Sequence, residues 1–128
     1  MAEGERTWPW WVGFGAVVTF ASTLSVLAYA GRLPPELFEA DKAIHFTIAG
    51  LLAFFLDRAT RARSLKWIVA LLVLFGLEEL AQRWSPNRSS SIADYAADLA
   101  GVVIFTSLSR IAFRSKARGT NAADDVAK

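Results

Sequence analysis

Four apolar runs divide the chain, and polar side chains gather where three of them begin or end. The first, residues 10–30, holds no formal charge and would extend about 31 Å at 1.5 Å per helical residue, enough for a bilayer's hydrocarbon core. Trp8, Trp10 and Trp11 at one end and Tyr29 at the other suit interfaces where an amphipathic ring keeps its polar edge wet. The turn Gly31-Arg32-Leu33-Pro34-Pro35 ends this helix. A second span is predicted over 36–56, although only 43–56 is strongly apolar, so its outer turns must hide polar groups. The third covers 65–84, with Trp67 and Trp84 near opposite ends, and the fourth covers 92–113. The pattern predicts an all-α fold, a polytopic four-helix transmembrane bundle over 1–113, followed by a polar cytoplasmic tail at 114–128 that frays or stays disordered.

Composition agrees with a membrane class. Hydrophobic residues make up 54% of the 128, and mean hydropathy is +0.33. Ala28-Tyr29-Ala30 has the small-x-small pattern of a signal-peptide cleavage site. The preceding segment, with Glu3, Glu5 and Arg6, lacks net positive charge, and the apolar run exceeds that of a secretory signal, so an uncleaved span is expected. The net charge of +2 does not indicate nucleic acid binding, because the basic residues flank apolar runs instead of forming a polar face. Cysteine is absent, which excludes a disulfide framework, a thiol nucleophile and a cysteine metal site.

The basic residues instead set orientation. Arg6, Arg58, Arg61, Arg63, Lys66, Arg110, Arg114, Lys116, Arg118 and Lys128 fall on one side, against Arg32, Lys42, Arg83 and Arg88 on the other. Lys and Arg enrichment marks the cytoplasmic side, so both termini are predicted inside. Asp41, Lys42, His45, Glu79, Gln82, Arg88, Asp94 and Asp98 then all fall toward the extracytoplasmic half, from three spans and a connection.

Within this set, Asp41 and His45 share a helix face, so Asp41 is placed to orient the ring. The alternative is a solvated helix start with Lys42 reaching to headgroups. Glu79 and Gln82 share a face, while Glu78 points about 100° away toward the rim. Glu79 and Gln82 serve equally well as interhelical glue or as a site. Ser91-x-x-Asp94 reads as a capping box. Asp98, one turn deeper, needs compensation from Arg88, His45 or Lys42, or must carry a proton. Gly101 marks a close-packing position for another helix.

These residues resemble the VanZ-like family of small bacterial membrane proteins. The resemblance rests on D-K-x-x-H at Asp41, Lys42 and His45, E-x-x-Q at Glu79 and Gln82, P-x-R at Pro86 and Arg88, and the Asp94 to Gly101 spacing, and it covers residues 30–113. The family commonly has Asn where this chain has Asp98, which adds an ionisable proton here. The resemblance implies a multi-pass protein of the bacterial inner membrane, in a family named for low-level teicoplanin resistance.

Three functions are carried forward. The leading one is binding of a polar envelope ligand, such as a lipid headgroup or cell-envelope precursor, with Arg88 and Lys42 holding an anionic group and His45, Glu79 and the aspartates orienting it. The second is an intramembrane hydrolase or transferase with His45 as base, Asp41 as its orienter and Glu79 or Asp94 as acid partner. The third is a structural or partner-binding scaffold. No cofactor is expected. With a single histidine, a metal site would need several carboxylates, and none is assigned.

Overall fold

The computed structural model describes residues 6–61 and 65–126, with side chains described as far as residue 113. The described residues form five helices and no strand: α1 (Trp8–Tyr29), α2 (Pro35–Glu39), α3 (Asp41–Ala59), α4 (Leu65–Gln82) and α5 (Ile92–Val126). α1 begins with Pro9 in its first turn, where a missing N–H is harmless. It ends in a Schellman motif: Gly31, at φ 66°, donates to the Ala28 carbonyl at 3.0 Å, and Arg32 donates to that of Leu27 at 2.8 Å.

Three boundaries depart from the sequence pattern. The run expected as one span over 36–56 is two helices, because the backbone leaves helical geometry at Ala40 (φ −90°, ψ 6°). The break places Asp41 in the first turn of α3, where a carboxylate is favoured by the helix dipole. α4 stops at Gln82, and Arg83 and Trp84 continue in tight turns that bond to Leu80 and Ala81. The tail expected to fray continues α5 to Val126, over residues that include Ala117, Ala122 and Ala123, strong helix formers. Of the basic residues that set orientation, Arg63 and Lys128 lie outside the described residues.

α3 is the hub, packing against α1, α4 and α5. Its side-chain hydrogen bonds to α5 join residues 52 or 53 positions apart, at the start of α3 (His45 to Asp98) and at its end (Asp57 to Ser109 and Arg110). A constant offset means that the two helices run parallel in one register. Between the ties their backbones come together: a Cβ on Gly101 would run into the carbonyl oxygen of Phe46 and stand 3.1 Å from the Gly50 nitrogen. The Phe46 and Phe105 rings meet edge to face beside this crossing.

α1 and α4 run opposite to this pair. Gly13 of α1 packs on the Phe55 ring, and Trp10 meets Phe54 and Phe55, so the start of α1 lies beside the end of α3. Tyr95 donates to the Leu72 carbonyl at 3.4 Å and Ser91 to the Glu79 carboxylate at 3.1 Å, which sets the end of α4 beside the start of α5. α1 and α4 do not come within 8 Å of each other, Cα to Cα.

Around an apolar core that includes Leu52, Leu56, Leu71 and Phe75, polar groups are also buried and many large apolar side chains face outward. Asp57, Glu79, Gln82, Asp94, Asp98 and Ser109 are buried, while Val69, Val73, Leu77, Val103, Leu108 and Ile111 are exposed. α1 and the Ile92–Phe113 part of α5 are each long and apolar enough to cross a membrane.

At the far end of α3 the polar tie is closed. Asp57 accepts from Ser109 Oγ at 2.8 Å on one oxygen and from Arg110 Nε and a terminal nitrogen at 3.1 and 3.0 Å on the other. The Arg58 guanidinium lies 3.4 Å from the Phe113 ring centroid and 5.6 Å from that of Trp10.

The glycines give a direct check on this packing. Gly101→Ala is expected to destabilise the fold by about 1–3 kcal/mol through overpacking. Gly15 has open space around it, and Gly15→Ala should be neutral or stabilising by up to about 1 kcal/mol from helix propensity. Thermal or denaturant unfolding of the purified variants measures both.

Candidate functional site

The alternation of helix directions brings the first turns of α3, the last turns of α4 and the first turns of α5 to one end of the bundle. His45 stands at their centre. Its Nδ1 lies 3.0 Å from Asp98 Oδ1, and Asp98 is only 2% exposed. A carboxylate there accepts the Nδ1–H and so orients the ring. Nε2 lies 3.8 Å from Asp41 and 3.9 Å from Glu79 Oε1, both beyond hydrogen-bond range. The expectation that Asp41 orients the ring is therefore corrected: sharing a helix face does not bring it close enough, and Asp98 from α5 holds the ring instead.

The capping box is also rearranged. Ser91 Oγ accepts from the Ala93 N–H at 3.1 Å as an N-cap should. The reciprocal acceptor for the Ser91 N–H is Glu79 Oε2, supplied by α4 across the helix interface, and not Asp94. Asp94 instead pairs with Lys42 Nζ at 3.7 Å. Lys42 is 66% exposed in its side chain, so this pair is a solvent-screened contact between α3 and α5.

Beside this cluster is a cavity of about 480 Å³ walled by α1, α3 and α4. Asp41, His45, Glu78, Arg88 and Asp98, with Ser22 and Ser25, form its polar lining, and Val18, Leu24, Ile48, Leu52 and Leu74 are among its apolar walls. Leu33 and Leu37, brought in by the connection and by α2, line it as well. The half-buried Arg88 guanidinium makes no hydrogen bond or ion pair with another described side chain. Glu78 accepts from Ser25 Oγ at 3.1 Å, the one described side-chain hydrogen bond that bridges α1 and α4.

The residues singled out from sequence thus divide into two connected groups. Asp41, His45, Arg88 and Asp98 line the cavity, whereas Lys42, Glu79, Gln82 and Asp94 do not; Glu79 Oε1 lies 3.9 Å from His45 Nε2, and Lys42 pairs with Asp94. Gln82 is 1% exposed, and neither of its amide atoms has a hydrogen-bond partner among the described residues; nor does Glu79 Oε1. Sequence reasoning assigned Glu78 to the rim, whereas it lines the cavity. It also missed Ser25, whose place on the α4-facing side of α1 no local pattern reveals.

Comparison with protein-family models, curated proteins and solved structures finds no match for this chain. The site's chemistry rests on its geometry: a guanidinium suited to an anion, an imidazole oriented by a carboxylate, and an apolar chamber beside them.

The His45–Asp98 bond should be worth more than the longer His45–Asp41 contact. Asp98→Ala is expected to lower unfolding free energy by about 1–3 kcal/mol, the range for stranding a buried partner. Asp41→Ala should cost less than about 1 kcal/mol, and a double-mutant cycle should couple His45 to Asp98 more strongly than to Asp41.

Proposed function

We propose that this chain is a four-span, VanZ-like protein of the bacterial inner membrane that binds the anionic headgroup of an envelope lipid at its extracytoplasmic end. The observation that carries the reading is the cavity itself: charged groups including Arg88 line it together with an apolar wall, matching a molecule that has both a headgroup and a hydrocarbon chain. The separation of α1 from α4 leaves room for that chain to lie between the helices.

Membrane insertion of all four runs is supported by the pairing of their charges. α3 carries Asp41, Lys42, Asp57 and Arg58, and α4 carries Lys66, Glu78 and Glu79. Of these, Asp57, Arg58 and Glu79 are buried, Asp57 against Ser109 of α5 and Glu79 against the Ser91 N–H just before α5, while Val69, Val73, Leu74 and Leu77 of α4 face outward. Such an arrangement suits lipid surroundings, where polar groups must be satisfied internally. The enrichment of Lys and Arg at the opposite end supports an extracytoplasmic polar mouth.

Arg88 supplies the headgroup contact, as a guanidinium can grip a phosphate through two N–H donors. His45 and Asp41 line the same chamber and orient polar substituents of the headgroup. A second reading is favoured by the His45–Asp98 bond in the cavity wall: His45 acts as general base, oriented by Asp98, in hydrolysis or transfer on the bound lipid.

Native mass spectrometry of the purified protein with phosphatidylglycerol and phosphatidylethanolamine tests the binding. Phosphatidylglycerol should be retained selectively, and Arg88→Ala should weaken it about 10-fold or more, as expected for loss of a charge-assisted hydrogen bond. Equal retention of both lipids, or full retention by the variant, contradicts the proposal. Turnover of lipid in the same preparation, abolished by His45→Ala, would select the second reading.

A further inference from the structure

The His45 cluster contains more acid than its described cations balance. Asp41, Glu79, Asp94 and Asp98 surround it, and the ammonium paired with them, that of Lys42, lies at the exposed edge on Asp94. Glu79 and Asp98 are 7% and 2% exposed. Two buried carboxylates beside a single imidazole require compensating positive charge or protons, because an isolated ionised group away from water is strongly disfavoured.

One donor atom from each of His45, Glu79 and Asp98 lies within 4.8 Å of the others. Donors about 2.1 Å from a common ion can stand at most about 4.2 Å apart. His45 Nδ1 stands 3.0 Å from Asp98 Oδ1 and Nε2 stands 3.9 Å from Glu79 Oε1; the two ring nitrogens point apart, so an ion takes one of them and the carboxylate beside the other must swing in. An independent sign is the buried Glu79 Oε1, which faces His45 and lacks a hydrogen-bond partner although its sister oxygen is engaged by the Ser91 N–H. An unengaged carboxylate oxygen, aimed at an imidazole in a buried site, is an available ligand.

We infer that His45, Glu79 and Asp98 bind a divalent transition-metal ion at the inner edge of the cavity. A single imidazole with carboxylates, and no thiolate, is a borderline-to-hard donor set suited to zinc or manganese. Binding engages one ring nitrogen, Nδ1 in place of the proton shared with Asp98 or Nε2 on the Glu79 side, and the remaining carboxylate moves in to complete the set. The sequence alone assigns no metal here because the ligands come from three helices and share no local spacing. His45 and Asp98 also line the cavity, so the ion would sit within reach of a cavity ligand. The site does not depend on the lipid proposal, since Arg88 takes no part in it.

The chain has one histidine, which makes the test unambiguous. Untagged protein is stripped with chelator, reloaded with Zn²⁺, dialysed and assayed by elemental analysis and X-ray absorption. One zinc per chain, with one imidazole and oxygen donors in its first shell, is expected. Glu79→Gln and Asp98→Asn should each weaken zinc binding at least 10-fold while retaining wild-type helicity and elution volume, and Arg88→Ala should leave it unchanged. Oxygen-only coordination, sub-stoichiometric zinc in folded wild type, or unaltered affinity in both folded carboxylate variants overturns the inference. If those variants misfold, absorption on the wild type still decides it through the presence or absence of the imidazole. Loss of lipid selectivity with zinc retained in Arg88→Ala would separate the two proposals.

Discussion

The parallel register of α3 and α5 is the constraint on which the other features depend. Their side-chain bonds keep an offset of 52 or 53 residues from His45 to Asp57, twelve residues or about 18 Å along the axis. Between them, Gly101 admits the Phe46 backbone, a distance of approach that any larger residue would prevent. A slip of one residue would rotate Asp98 by about 100° away from His45 and at the same time remove Ser109 and Arg110 from Asp57. Glycine contact and polar ties therefore specify the same register from the middle and from both ends.

That register also explains the difference between the two polar ends. At Asp57 each carboxylate oxygen has a donor, so the tie is complete and serves packing. At His45 the same kind of tie is followed by a surplus of carboxylate, an unsatisfied amide at Gln82 and an adjoining cavity. Structural networks are usually saturated because an unpaired buried polar group is costly. The proposed function takes up the His45 end, beside which lies the cavity walled by α1, α3 and α4.

Much of the helical arrangement was legible in the apolar runs, and Gly101 and Asp98 each signalled a neighbour: one had no side chain where a helix could approach, the other a carboxylate that demanded compensation. What remained hidden depended on partners from other helices. Asp41 and Asp94 had local explanations, as orienter of His45 and as half of a capping box, yet Asp98 and Glu79 took those roles from a distance. Arg110 counted as an orientation signal and is also the partner of Asp57, a role visible only once α3 and α5 lie side by side. The break at Ala40 was illegible for a different reason: no proline or glycine marks it, and Pro34 and Pro35 lie one turn or more before it.

The proposal puts the His45 mouth at the outer face of a bilayer, on the strength of the asymmetry of Lys and Arg. The absence of native cysteine allows single-cysteine labelling in intact cells with a membrane-impermeant maleimide. Ser89→Cys, in the exposed connection before α5, and Lys66→Cys, exposed at the start of α4, sample the two ends. Labelling of Ser89→Cys in intact cells, with Lys66→Cys labelled only after permeabilisation, is the predicted result; the reverse pattern, or labelling of both only after permeabilisation, contradicts an extracytoplasmic site.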